Sequence, residues 1–218
     1  MDKKRLFEFL GEQDAAVLFN LLDSAYEEMN TSQRRSVFGD LVKKIPPSLI
    51  DGEELLGEID VFNSQSLAGM YYEPFSINSK NFMNIPEETE EWFEHLGDFL
   101  EKSSRLTEQG NHSFAVQCFH LLYELIEEME SGEEIVFAHE LGSWMIPGDE
   151  KKFINAYISS LAVSSNAEEF TKAVLPLIRR DSYSSFINKV YSTALHTANK
   201  EQISCLKAAI KQHDIRIK

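Results

Sequence analysis

Two cysteines, six prolines and ten glycines are all that 218 residues hold of the types that staple, stop or loosen a chain. Cys118 and Cys205 stand far apart and form no CxxC pair, which excludes a disulfide framework and a cysteine-rich metal or redox motif. Both thiols are expected to be reduced. No run of about 18 apolar residues occurs, so no membrane-spanning helix is expected. Lys3, Lys4 and Arg5 are followed by an apolar stretch broken at Glu8 and Glu12, so no secretory signal is expected and the location expected is cytoplasmic. Glycine-rich phosphate loops and nucleophile elbows are missing as well. Apolar side chains are not scarce. At 43% of the chain, with 11% aromatic, they suffice to fill a core, and folding at this length removes roughly 70% of the unfolded chain's surface. Disorder of the whole chain is thereby excluded.

Positive charge is scarce in the middle of the chain. Residues 51–150 carry 3 basic and 23 acidic side chains, against 7 and 8 in residues 1–50 and 11 and 5 in residues 151–218. An acidic middle of this strength repels phosphate backbones, so no nucleic acid is expected as a partner. The Glu-rich faces read either as solvated helix surface or as a surface that attracts a basic protein.

Apolar residues recur at helical spacing almost throughout, and alternation of period two is absent. Residues 14–29 place Ala15, Leu18, Leu22, Ala25, Tyr26 and Met29 on one face, with Thr31 and Ser32 capping a second helix that Pro46-Pro47 ends. Asp51 caps a helix that stops at Gly69. Asn84 caps a long Glu-rich helix carrying Trp92, Phe93, Leu96, Phe99 and Leu100 and ending at Gly110. Residues 113–129 are apolar on more than one face, which predicts a buried central helix. A shorter helix is expected from Glu133 to Ile146 and another from Asp149. Asn166 with Glu169, and Asn199 with Gln202, have capping-box spacing, and Pro176 predicts a kink or early stop. The fold class expected is all-α, in one helical domain over residues 1–218 with a possible subdivision near the 70–86 loop.

Leu106, Gly110, Ala115 and Phe119 resemble the core of a tetratricopeptide helix pair, and residues 173–198, with Pro176 and Asp181, resemble a HEAT-type pair. The resemblance implies an irregular α-solenoid or helical-repeat stack of antiparallel helix pairs, with a globular helical bundle as the alternative, and a protein-interaction scaffold or adaptor without catalytic activity. Two other readings stand beside it: an acidic inhibitory or neutralising partner of a basic protein, and an uncharacterised enzyme or metal-binding helical protein. The expected partner is another protein, with the acidic charge pointing to a basic one.

The long segment 70–86 has neither period and is rich in turn formers, and loops of this length tend to be functional. Tyr71, Tyr72, Phe75, Phe82 and Met83, with Trp92 on the following helix, are the candidate binding residues. The competing reading is a structural seal over the helices. His120, Glu124 and Glu128 recur every four residues on one helix face and are the candidates should a divalent ion bind, but their spacing matches no strong metal motif. No cofactor and no metal are expected. No pair of groups stands out as catalytic, and Cys118 lies on an apolar stripe where a cysteine is more often core than reactive.

Overall fold

The computed structural model describes residues 2–27, 29, 33–34, 36–38, 49–76, 81, 84–137, 145–181 and 187–215. Nine helices are delineated: α1 (Lys3–Leu10), α2 (Ala15–Glu27), α3 (Gly52–Leu67), α4 (Glu87–Glu108), α5 (His112–Ser131), α6 (Glu150–Ser164), α7 (Ala167–Asp181), α8 (Ile187–Thr197) and α9 (Lys200–Gln212). Residues 33–34 and 36–38 are also helical, and no strand occurs among the described residues. The all-α expectation holds. The chain divides into two compact units, Met1–Ser48 and Leu49–Lys218, so the boundary lies between residues 48 and 49 and the 70–86 loop falls inside the second unit.

Side-chain caps start most of these helices. Asp51 accepts from the Glu53 and Glu54 amides, and Asp149 from those of Lys151 and Lys152. Asn166 and Glu169 exchange reciprocal hydrogen bonds, as do Asn199 and Gln202, so both capping boxes are made. α4 departs from expectation. It is preceded by Pro86, whose carbonyl accepts from the Thr89 and Glu90 amides, and no side chain caps it. Asn84 therefore lies outside the helix start. At the other end of α4, Gly110 takes a φ of 78°, and its amide and that of Asn111 return to the Thr107 and Leu106 carbonyls. This closure leads directly into α5.

α5 is the centre of the second unit. It packs against α3, α4 and α6. Ala115, Cys118, Phe119, Leu122, Leu125, Ile126 and Met129 are buried along it, in one continuous core with Leu55, Ile59, Trp92, Leu96, Phe153, Tyr157 and Phe170. Phe119 forms a three-ring cluster with two tyrosines, its centroid 5.2 Å from Tyr157 and 6.3 Å from Tyr123, which themselves stand 5.6 Å apart. Gly97 lets α4 come close to the loop before α6: a Cβ there would stand 2.9 Å from both the carbonyl oxygen and Cδ of Pro147.

One local expectation is corrected and one of two alternatives at Pro176 falls away. Residues 134–137 form turns and a bend rather than a helix: the Ile135 amide closes onto the Glu133 carbonyl at 2.7 Å, a three-residue turn that replaces the helical ladder after Gly132. Residues 138–144 of that expected helix lie outside the described residues. α7 runs through Pro176 to Asp181 without an early stop. Pro176 is on the exposed side, where the carbonyl it leaves without a helical donor can meet water.

Candidate functional site

The aromatic loop begins where α3 ends. Gly69, with φ 74°, and Met70 close the helix onto the Ser66 and Gln65 carbonyls, and the chain turns back over the core. Tyr71 then meets Phe62 edge-on at 5.7 Å. Tyr72 and Phe75 both reach Phe137, at 6.2 Å and 5.1 Å, and the Phe137 carbonyl accepts from Thr89 Oγ1 in the first turn of α4. All three loop aromatics are half-buried. Burial, and after it the negative charge of Glu91, raises the Tyr71 phenol above its ordinary pKa. The result is a small aromatic cluster between residues 71–75 and 134–137, beside Glu87, Glu88 and Glu90 in the first turn of α4.

Trp92 does not belong to that surface. It is fully buried, donates from Nε1 to Ser66 Oγ at 2.9 Å, stacks on Phe62 and meets Phe93 edge-on. Its indole tethers α4 to α3 and offers nothing to a partner. Phe82 and Met83 lie outside the described residues.

His120 Nε2 lies 3.2 Å from Glu124 Oε1, and both side chains are more than half exposed. Glu128 is exposed too. No group of three or more His, Cys, Asp and Glu side chains suited to a metal ion forms among the described residues. His120 and Glu124 make a surface pair on one helix.

One polar constellation has no counterpart in the sequence pattern. Ser160 Oγ on α6 lies 2.8 Å from Thr107 Oγ1 and 3.1 Å from His112 Nδ1. A serine beside a histidine is the starting geometry for nucleophilic catalysis, but Ser160 is wholly buried and no substrate reaches it. Its hydroxyl ties the α4–α5 turn to α6. The residues are about fifty positions apart, and no spacing rule joins them. The Cys118 thiol is likewise out of reach: burial pushes its pKa up to about 11, with the Ser103 hydrogen bond opposing, so the nucleophilic thiolate is scarce at neutral pH.

No family model matches the chain, and no curated protein or solved structure matches it either.

Charge forms the rest of the candidate surface. Lys102 is 2.9 Å from Asp98 and 3.5 Å from Glu58. Burial works against its charge, but the two carboxylates outweigh it and raise its pKa. Lys152 pairs with Glu101 and Glu108. These cations are thus engaged locally, and the acidic excess of residues 51–150 remains. A groove of about 420 Å³ between α7 and α9 has the opposite rim, with Lys172, Arg179 and His213 beside Glu168, over Leu175 and Ala209. No helix among the described residues is long and apolar enough to cross a membrane.

Proposed function

We propose that the chain is a non-catalytic protein-interaction scaffold, built as an irregular helical-repeat stack, whose partner is a basic protein. The observation that carries this reading is the packing order of α3–α9. Every extensively packed pair joins helices that are consecutive or next but one in sequence. That order is the one in which tetratricopeptide and HEAT arrays assemble, each pair covering the next and leaving long faces for a ligand protein. Burial of the Ser160 hydroxyl and the Cys118 thiol also favours binding over catalysis.

The contact surface in this proposal is the half-buried cluster of Tyr71, Tyr72 and Phe75 with the Glu-rich start of α4, which together offer apolar anchors and charge steering. Capture of partners from the native cell at low salt and at about 1 M salt, followed by reconstitution with the purified partner, tests it. Tyr72→Ala with Phe75→Ala is expected to weaken association at least tenfold with the melting temperature nearly unchanged. If the double variant melts early and binding follows the folded fraction, the aromatics are a seal over Phe137. The charge asymmetry favours one second reading, an acidic neutralising partner of a basic protein. A complex abolished by high salt supports that reading; one that persists supports the scaffold.

A further inference from the structure

The first unit, residues 1–48, is built unlike the second. Neither α1 nor α2 buries a single residue. Nine large apolar side chains between Leu6 and Val37 are exposed, with Phe7 at 61%, Phe9 at 60%, Phe19 at 71% and Leu22 at 50%. Among the described residues of 49–218 five are, spread over a far longer stretch of chain. Scattered apolar residues on a surface are ordinary; nine within 32 residues are not. α2 carries them on more than one face, since Val17 and Leu21 share a stripe that Phe19 and Leu22 do not.

We propose that residues 1–48 are a self-association element, through which two copies of this chain pack their α1 and α2 helices together. Area and charge both point to a second copy as the occupant. At about 150 to 250 Å² for a fully accessible aromatic side chain, Phe7, Phe9, Phe19 and Tyr26 alone present roughly 350 to 600 Å², and the five aliphatic side chains add to it, an area on the scale of the roughly 800 Å² that a standard interface takes from each partner. Residues 1–48 carry 7 basic and 8 acidic side chains, so two such units meet almost without repulsion, whereas residues 49–218 carry 14 and 28 and repel their own copy. A basic partner would be steered to the acidic segment and away from this near-neutral one. An equally apolar, equally neutral surface is supplied by the same unit of another chain, and a two-fold pair of helical hairpins closes on itself as a small bundle.

Light scattering and sedimentation of the full chain across about 1 to 100 µM test the proposal. The expected mass is twice 25.0 kDa, retained or strengthened at about 0.5 M salt because the contact is apolar and the like charges are screened. Phe19→Glu and Leu22→Glu, at exposed positions where no core packing is lost, are expected to weaken the dimer at least tenfold with helicity and the main melting transition preserved. Phe7→Gln on α1 gives a second measurement that stands even if a glutamate unfolds α2. A chain that stays monomeric at about 100 µM overturns the proposal and leaves the apolar unit to another cover. A dimer unaffected by Phe7→Gln and by both glutamates places the interface elsewhere, and a dimer dissolved by salt makes it electrostatic. Either result refutes it.

Discussion

Replacing Phe119 by alanine tests the assignment of α5 as the centre of the fold. The ring is wholly buried and stacked, at interplanar angles of 27° to Tyr157 and 28° to Tyr123. Truncation removes six ring carbons from water-free surroundings, and Phe→Ala at such sites costs about 3 to 5 kcal/mol. Loss of two ring contacts, each worth about 0.5 to 1.5 kcal/mol beyond area, places the expectation in the upper half of that range. Relaxation offers little relief, because residues from α3, α4 and α6 surround α5 and cannot all close on one hole. Urea unfolding followed by both circular dichroism and tryptophan fluorescence measures it, two probes being needed because helical arrays can unfold in stages. A loss below about 1 kcal/mol in both would refute the central placement of α5, since exposed sites change stability by that little.

Alkaline pH and a single glycine give further expected outcomes. The Cys118 thiol, raised from 9.0 to about 11, favours the folded state fully below pH 9 and loses that contribution as pH rises toward 11. The buried Tyr157 phenol, also raised, extends the decline above pH 10. Urea midpoints between pH 8 and 11 should therefore fall, less steeply between 9 and 10 in Cys118→Ala; an unchanged slope there would exclude the thiol. Gly97→Ala should destabilise by about 1 kcal/mol or more, although alanine in an open helix gains about as much, because the new Cβ meets the Pro147 carbonyl at 2.9 Å. A raised melting temperature in that variant would mean that the loop yields freely.

What could be read from the sequence was local. Asp51, Asp149, Asn166 and Asn199 cap helices through atoms two or three residues away, so spacing alone finds them. Burial of α5 followed from apolar residues on several faces. Trp92 was misread from its nearness to the aromatic loop, although it shares a helical stripe with Leu96, Phe99 and Leu100, which already pointed inward. α1 is only eight residues long, too short for its spacing of Leu6, Phe7 and Leu10 to stand out as a period, and it starts at the Asp2 carboxylate, which accepts from the Lys4 amide. Tyr72 and Phe75 find their partner Phe137 about sixty residues away, and Ser160 meets Thr107 and His112 across a similar interval. Such contacts depend on how helices stack, and no single-segment pattern records them.

The packing order of α3–α9 also bears on how the chain is made. Because each helix rests chiefly on the one or two before it, a helix leaving the ribosome finds its supports already synthesised. α5 completes its contacts with α3 and α4 by residue 131, well before α7 exists. Such local contacts keep the loop-closure cost of each step small, which favours rapid, stepwise acquisition of structure from the amino-terminal side of this unit. α9, which rests mainly on α7, follows the other delineated helices. Removing that helix takes Leu206 and Ile210 out of the common core and the Gln202 bonds away from the Ala162 and Ser165 carbonyls, while the contacts of α5 with α3, α4 and α6 stay in place.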